Sequence, residues 1–320
     1  MKNIIFILFI SILAISCKRE SKVEKEISKI EMAVAIERFD LAFGNATPQS
    51  LTNLKASFPF MFSKKYSDSF WIGKMRDSFQ IELNTETKKV FPNLNTIEIE
   101  ISDLFRHLKY YFPEFKKPRL VSATSFVDYR NKVIVTDTIT LISIDTYLGK
   151  EHRFYQGISK YLAANFTKDQ IVVDLASAYA ERYIFPTKNK SLLDEMIYFG
   201  KKLYFKDAVI PFKTDAEKIG YTQKQLEWAT ANEAQIWNYF VSKELLFSTD
   251  SNLPNRFINP APFSKFRLKT IDKESPGRIG QYVGWKIVQA YMKNNTVSLQ
   301  KMLSTNAEEI FNKSKFKPKL

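Results

Sequence analysis

The chain holds few residues able to run chemistry. It has two histidines, His107 and His152, and one cysteine, Cys17. Neither histidine has a second one four residues on, so no His pair can share a helix face around zinc, and a lone cysteine cannot begin a thiolate cage. Each histidine is therefore expected at the surface or in a hydrogen bond. No Gly-x-Ser-x-Gly elbow is present, and a Cys–His dyad would have to use Cys17, which the leader claims. Carboxylates are plentiful, with 34 Asp plus Glu. The adjacent pairs Asp194-Glu195 and Glu308-Glu309 point apart on a helix and cannot converge on one bond. Glu233 stands out. In WATANEAQIWNYF it precedes Trp237 by one helical turn on an aromatic segment, where a charge becomes partly buried and its first role is an ion pair.

The stretch SPGRIGQYVGWKIVQAYM, 275–292, carries three of the nine glycines. Its spacing, Gly-x-x-Gly-x-x-x-Gly, matches neither the dinucleotide fingerprint nor the P-loop. Ser275 can cap a helix and Pro276 can be its first residue. Beyond them Ile279, Val283 and Ile287, with Trp285, Val288 and Met292, recur at helical spacing. Gly280 and Gly284 then share one face. Each costs about 1 kcal/mol against alanine inside a helix, so the pair predicts close approach by another of the chain's own helices. Arg278 falls in the first turn, where a cation opposes the helix dipole. That predicts an acidic partner, with Glu233 the first candidate; an anion site is the alternative. Arg278, Glu233, Trp237, Trp285, Gly280 and Gly284 form the candidate structural or binding cluster.

These residues must be positioned by elements that the pattern makes legible. A short strand-like run covers Met32 to Ile36. Thr47 and Pro48 cap a helix through Leu51, Leu54 and Phe58. NLNTIEIEISDLFRHLKYYF places Ile97, Ile101, Leu104, Phe105, Leu108 and Phe112 at three- and four-residue spacing. RLVSATSF, KVIVTD and TITLISID then read as strands, with Arg130 and Asn131 in a turn. Helical period returns near 154–165, 168–184, 191–206, 222–248, 276–294 and 297–312. A small sheet followed by packed helices makes the class α+β and mostly helical. Composition agrees: 45% hydrophobic and 14% aromatic residues build a core.

The first seventeen residues, MKNIIFILFISILAISC, read as an export leader. The apolar run is shorter than the roughly 20 residues that span a bilayer. It ends in small residues before Cys17, the pattern of a lipobox, which predicts a thiol lipidated at Cys17 and a leader removed before it. Residues 18–30 are charged and read as a flexible tether, leaving 31–320 as a single globular domain. The formal net charge of +14 favours anionic partners, but the bases are dispersed and no nucleic-acid module is present. The run NKSKFKPKL at the end reads as a solvated tail.

Taken in order, several segments carry a resemblance: the leader ending at Cys17, ERFD at 37–40, IDTYLGKEHRFY at 144–155, MIYFGKKLYFKDAVIP at 196–211, GYTQKQLEWATANEAQIW at 220–237 and the glycine stretch at 275–292. The sequence resembles the gliding motility lipoproteins of the GldB family of Bacteroidetes bacteria. The resemblance implies a cell-envelope protein lipid-anchored to a membrane; Lys18 after Cys17, with no acidic cluster following, makes a periplasm-facing anchor the expectation. It implies partners among the envelope proteins of the gliding machinery and its associated protein secretion system. It implies no reaction. The family is also similar to zincin-type metallopeptidases. On that likeness Asp174 and Ala178 stand where two zinc-binding histidines are expected, Leu175 where the general base is expected and Phe199 where the third ligand is expected. One aspartate among four such positions cannot hold zinc, so the resemblance implies a degenerate zincin-like domain with no metal and no cofactor. The resulting expectation is a non-catalytic binding or scaffold protein. Two alternatives stay open: a carboxylate-dependent hydrolase of peptide or cell-wall substrates, and a binder of anionic lipid or cell-wall ligands.

Overall fold

Residues 22–185 and 189–319 are described by a computed structural model, with the backbone alone at 269 and 270. The leader and Cys17 lie outside the described residues. The stretch expected to be a flexible tether is helical over Lys22–Ser28 (α1). Ile27 on α1 is buried, and the helix rests on Asn95–Tyr111 (α2), where Glu24 lies 3.3 Å from His107 Nε2. The apolar stripe of α2 is buried as its spacing predicts: Ile97, Ile101, Leu104, Phe105 and Leu108 all face the core.

Four strands form one mixed sheet: Ile36–Arg38 (β1), Arg119–Ala123 (β2), Val133–Val135 (β3) and Ile139–Ser143 (β4). The order is β1-β2-β4-β3, with β1 and β4 parallel to β2 and β3 antiparallel to β4. Side chains alternate across the sheet. Ile36, Leu120 and Ile142 face the main helical core. Val121 and Ala123 face a smaller cluster built from Phe39, Phe43, Leu51, Leu54, Phe58 and Phe62. The strand expected at Met32 to Ile36 begins four residues later. The ERFD segment explains why: Glu37 pairs with Arg119, Arg38 pairs with Asp40, and Ser122 Oγ donates to Asp40 at 2.6 Å. ERFD is thus a clasp that fixes β1 on β2.

The helices that bear on function follow: Ile171–Ala180 (α3), Leu192–Val209 (α4), Gln223–Ala231 (α5), Glu233–Ser242 (α6), Ile279–Asn294 (α7) and Ala307–Ser314 (α8). The class is α+β and mostly helical. α4 opens with a capping box made by Ser191 and Asp194, and it crosses α7 in the middle of the core. At that crossing a Cβ on Gly284 would stand 1.8 Å from the Met196 carbonyl oxygen, and one on Gly200 would stand 2.4 Å from the Gly284 carbonyl. The glycine face of α7 is therefore met by backbone of the chain itself. Gly280 is met less tightly, by the Ile258 and Met196 side chains and the Phe257 carbonyl.

Four helical expectations need correction. The segment 297–312 is two helices, Leu299–Ser304 and Ala307–Ser314, the second capped by Asn306. The segment 222–248 is not one helix. It breaks at Asn232, which leaves helical geometry at φ −109° and ψ 14° while its backbone and side-chain amides both donate to the Trp228 carbonyl. The segment 154–165 holds only short turns, Arg153–Tyr155 and Lys160–Ala163, separated by Gly157 in a left-handed conformation. The helix expected from 276 begins at 279. Ser275 does not cap it; its hydroxyl donates to the Ser264 carbonyl. Ser264 supplies the cap from a distant loop, accepting from the Ile279 amide at 3.1 Å and donating to the Pro276 carbonyl at 2.7 Å.

Candidate functional site

α3, α4 and the start of α7 border a cleft of about 500 Å³, closed by residues around 129–132, 161–166, 218–222 and 258–261. Helical period decides which side chains face it. On α4 these are Phe199, Lys202, Leu203 and Lys206; on α3 they are Val173, Asp174 and Ser177, with Gln170 just before the helix. Tyr129, Tyr161, Phe166 and Tyr221 make much of the wall aromatic. The charged lining is one-sided. Lys132, Lys202, Lys206, Lys218 and Arg278 face a single carboxylate, Asp174.

Three of these cations are answered. Asp174 pairs with Lys132 and also accepts from the Tyr147 hydroxyl at 2.9 Å. Lys202 reaches Glu181 at 2.7 Å and lies over the Phe199 ring. Lys218 sits 3.0 Å from Asp207 and 3.6 Å from Asp215. The other two are not. Lys206 is 8% exposed and donates only to the Lys218 carbonyl, at 2.7 Å. Burial pulls its pKa down to about 7. Arg278 donates through Nη2 to the Gly220 carbonyl at 2.8 Å and stacks 5.4 Å over the Tyr221 ring. Among the described residues no carboxylate lies within ion-pair distance of either. Burial lowers the Arg278 pKa as well, though guanidinium stays charged at any physiological pH.

Arg278 is held in an unusual backbone conformation, with φ 61° and ψ 28°. A non-glycine residue in the left-handed region costs about 1–3 kcal/mol and persists only where its surroundings dictate it. The Ser264 cap on one side and the Tyr221 hydroxyl, which donates to the Gly277 carbonyl, on the other impose it here. Gly220 across the cleft is also left-handed, at φ 69°, and ends the short helix Asp215–Ile219.

The expected pairing of Arg278 with Glu233 is not what the structure shows. Glu233 is 2% exposed and accepts from the Tyr282 hydroxyl and from the Lys319 amide, both at 2.9 Å. Tyr282 lies on α7 four residues beyond Arg278, so Glu233 meets the correct helix one turn further along. The expected cluster therefore divides. Trp237, near Glu233, packs against Phe311 and Phe316, which ties the C-terminal segment to the body where a solvated tail was expected. Trp285 is buried and donates to Asp207 at 2.7 Å. Gly280 and Gly284 serve the helix crossing. Arg278 alone among the six opens on the cleft.

Of the four positions compared with a zinc site, Asp174 and Phe199 line the cleft. Leu175 is fully buried in the core and Ala178 is not part of the lining. On α3 the residues that share the cleft with Asp174 are Val173 and Ser177. Among the described residues no group of three or more His, Cys, Asp or Glu side chains is placed to hold a metal ion. His107 and His152 stand apart from the cleft. His107 Nδ1 lies 2.7 Å from the Asp103 carbonyl and His152 Nε2 lies 3.3 Å from Glu86. Glu82 and Glu86 share an open surface depression in which Arg153 reaches both.

The IDTYLGKEHRFY segment braces the cleft from behind. Buried Asp145 accepts from the Ser125 and Val127 amides, and Tyr155 donates to the Asp145 carbonyl at 2.9 Å. The lysines of the cleft did not stand out in the sequence. Their signal is the shared face of Phe199, Lys202, Leu203 and Lys206 within MIYFGKKLYFKDAVIP.

The family model described as gliding motility protein GldB matches residues 20–318 of this chain. No curated protein and no solved structure matches it. No helix among the described residues is long and apolar enough to cross a membrane.

Proposed function

Since the chain belongs to the GldB family of gliding motility proteins, we propose that it is a lipoprotein anchored through Cys17 in the cell envelope, where it supports gliding and the associated secretion machinery by binding and not by catalysis. The domain then faces the periplasm, and its partners are other envelope proteins of that machinery. The observation that carries the binding role is the character of the cleft. It is roomy and largely apolar, and its single carboxylate is already engaged by Lys132 and Tyr147. A hydrolase working through paired carboxylates needs a free acid and a free base within reach of one bond. The segments that carry the family resemblance meet there: 196–211 gives Phe199, Lys202 and Lys206, 220–237 gives Gly220 and Tyr221, and 275–292 gives Arg278.

The reading is tested by restoring the gene to a deletion strain as wild type or as Cys17→Ser, and by recovering partners from solubilised envelopes with each form. Wild type is expected to restore spreading and to co-purify with envelope proteins, and Cys17→Ser to lose both. Normal gliding by Cys17→Ser overturns the anchored reading. Hydrolysis of peptide or glycan substrates by the pure protein, abolished by Asp174→Asn, overturns the non-catalytic one.

A further inference from the structure

We propose that the cleft binds a small organic anion, a carboxylate or phosphate monoester carried on an aromatic or apolar body, with Arg278 and Lys206 receiving the anionic head. The proposal rests on the reading that this protein works by binding, and it names the ligand class.

The first ground is charge. Once Lys132, Lys202 and Lys218 are set against Asp174, Glu181 and Asp207, two cations remain without a counter-ion, and both belong to the cleft lining. A buried charge with no partner is strongly unfavourable unless something of opposite sign answers it. The second ground is donor capacity. A guanidinium offers five N–H donors in a planar fork suited to carboxylate and phosphate. Arg278 places one bond on Gly220, and the rest of the fork is left for a ligand. The third is the wall. Tyr129, Tyr161, Phe166 and Tyr221 surround the cations, so the ligand carries an apolar or aromatic body in addition to its charge. The volume of about 500 Å³ lies within the usual range for small-molecule sites, roughly 300–1,000 Å³.

A purely structural role explains less. Lys206 and Arg278 both donate to carbonyls at the end of the helix Asp215–Ile219, those of Lys218 and Gly220. That end needs donors, not charges. Asn165 already supplies a neutral one, its amide lying 3.1 Å from the same Gly220 carbonyl. Capping therefore leaves unexplained why a buried and a half-buried cation stand where an amide would serve, and why Arg278 is held in a left-handed backbone conformation.

The test uses the full chain purified in detergent, with phenyl phosphate, benzoate, inorganic phosphate and phenol as probes in titration calorimetry. Phenyl phosphate or benzoate is expected to bind with a Kd below about 1 mM, inorganic phosphate more weakly, and phenol not at all. Comparing phenyl phosphate with benzoate shows which head the site prefers. Arg278→Met and Lys206→Met are each expected to weaken binding at least tenfold. The double variant Lys64→Gln/Lys65→Gln, two exposed lysines away from the cleft, lowers the net charge and is expected to leave binding unchanged. Lys206→Met removes a desolvated charge and leaves the backbone of Arg278 alone, so it keeps the test valid if Arg278→Met fails to fold. The proposal is overturned if neither organic anion binds, if phenol binds as well as they do, or if the surface variant loses as much affinity as the cleft variants. The two readings fail separately. Absent probe binding together with lost gliding in Cys17→Ser removes the anion site and keeps the anchored binding role. Weakened probe binding by Lys206→Met with gliding intact keeps the site and removes its part in motility.

Discussion

Gly284→Ala tests the packing on which the cleft depends. α4 and α7 cross where Gly200 faces Gly284, and every atom that an added Cβ meets there is backbone. At Gly284 it would stand 1.8 Å from the Met196 carbonyl oxygen and 2.3 Å from the carbonyl carbon. Ordinary contact begins near 3.4 Å, so the helices would have to part by about 1.5 Å, and no rotamer change can relieve the clash. Overpacking of a close-packed interior costs about 1–3 kcal/mol, and a clash confined to backbone belongs at or above the top of that range. Alanine returns about 1 kcal/mol of helix propensity. The net expectation is a loss of about 2–3 kcal/mol, a fall in Tm on the order of 3–5 °C for a chain of this size. Gly73→Ala is the matched control, since it lies on the helix Asp68–Met75 with nothing within 4 Å of the added atom. There the change is neutral or stabilising by less than about 1 kcal/mol. Urea denaturation of both variants, followed by far-ultraviolet circular dichroism and tryptophan fluorescence, measures the difference. A Gly284→Ala protein within about 0.5 kcal/mol of wild type, the range of an ordinary surface substitution, would refute the argument that backbone contact sets this crossing.

Two further outcomes follow from the buried charges. Lys206 has a folded pKa of about 7, below its ordinary value of 10.5, with Asp174, Lys132, Lys202 and Arg278 as the charges that act on it. Between those two values the unfolded chain binds the extra proton, so this residue makes stability rise with pH from about 7 to about 10, by at most about 1.4 kcal/mol per unit. Lys206→Met should remove that slope, read as the difference between the urea midpoints of variant and wild type at pH 6, 7, 8 and 9. Lys201, lowered to about 8 by burial, is present in both proteins and cancels; parallel profiles would show that Lys206 is not desolvated as described. Glu233→Ala strands the Lys319 amide and leaves the Tyr282 hydroxyl only its longer bond to Thr230, at a cost of about 1–3 kcal/mol. Limited trypsin digestion is expected to cut after Lys313 and Lys315 faster in this variant, the Lys317–Pro318 bond being resistant, and equal rates would show that the C-terminal segment is held by Trp237 and Phe316 alone.

The features that were legible in the sequence are those set by local period. The stripe of α2, the strands from Arg119 to Ser143 and the glycine face of α7 are carried by apolar or small residues at fixed spacing, and nothing distant can change which way they point. Boundaries were less legible. The break at Asn232 is a single-residue backbone departure inside a continuous helical pattern, and Ser264 caps α7 from eleven residues before Ser275. The site was the least legible, for a reason of the same kind. Lys202 and Lys206 do not stand out on a helix that also carries Asp194, Glu195, Lys201 and Asp207, because a charge on one element shows nothing of what lies opposite. Here the opposite wall is a left-handed turn at Gly220 and the carbonyl it presents. Arg278 fits the same logic. Its dipole argument correctly demanded a negative partner, and a helix-ending carbonyl at Gly220 meets part of that demand where a carboxylate was expected. A carbonyl carries only a partial charge, so the remainder of the guanidinium's charge is left facing the cleft, and that remainder makes this cleft a candidate for an anion where a filled ion pair would have closed it.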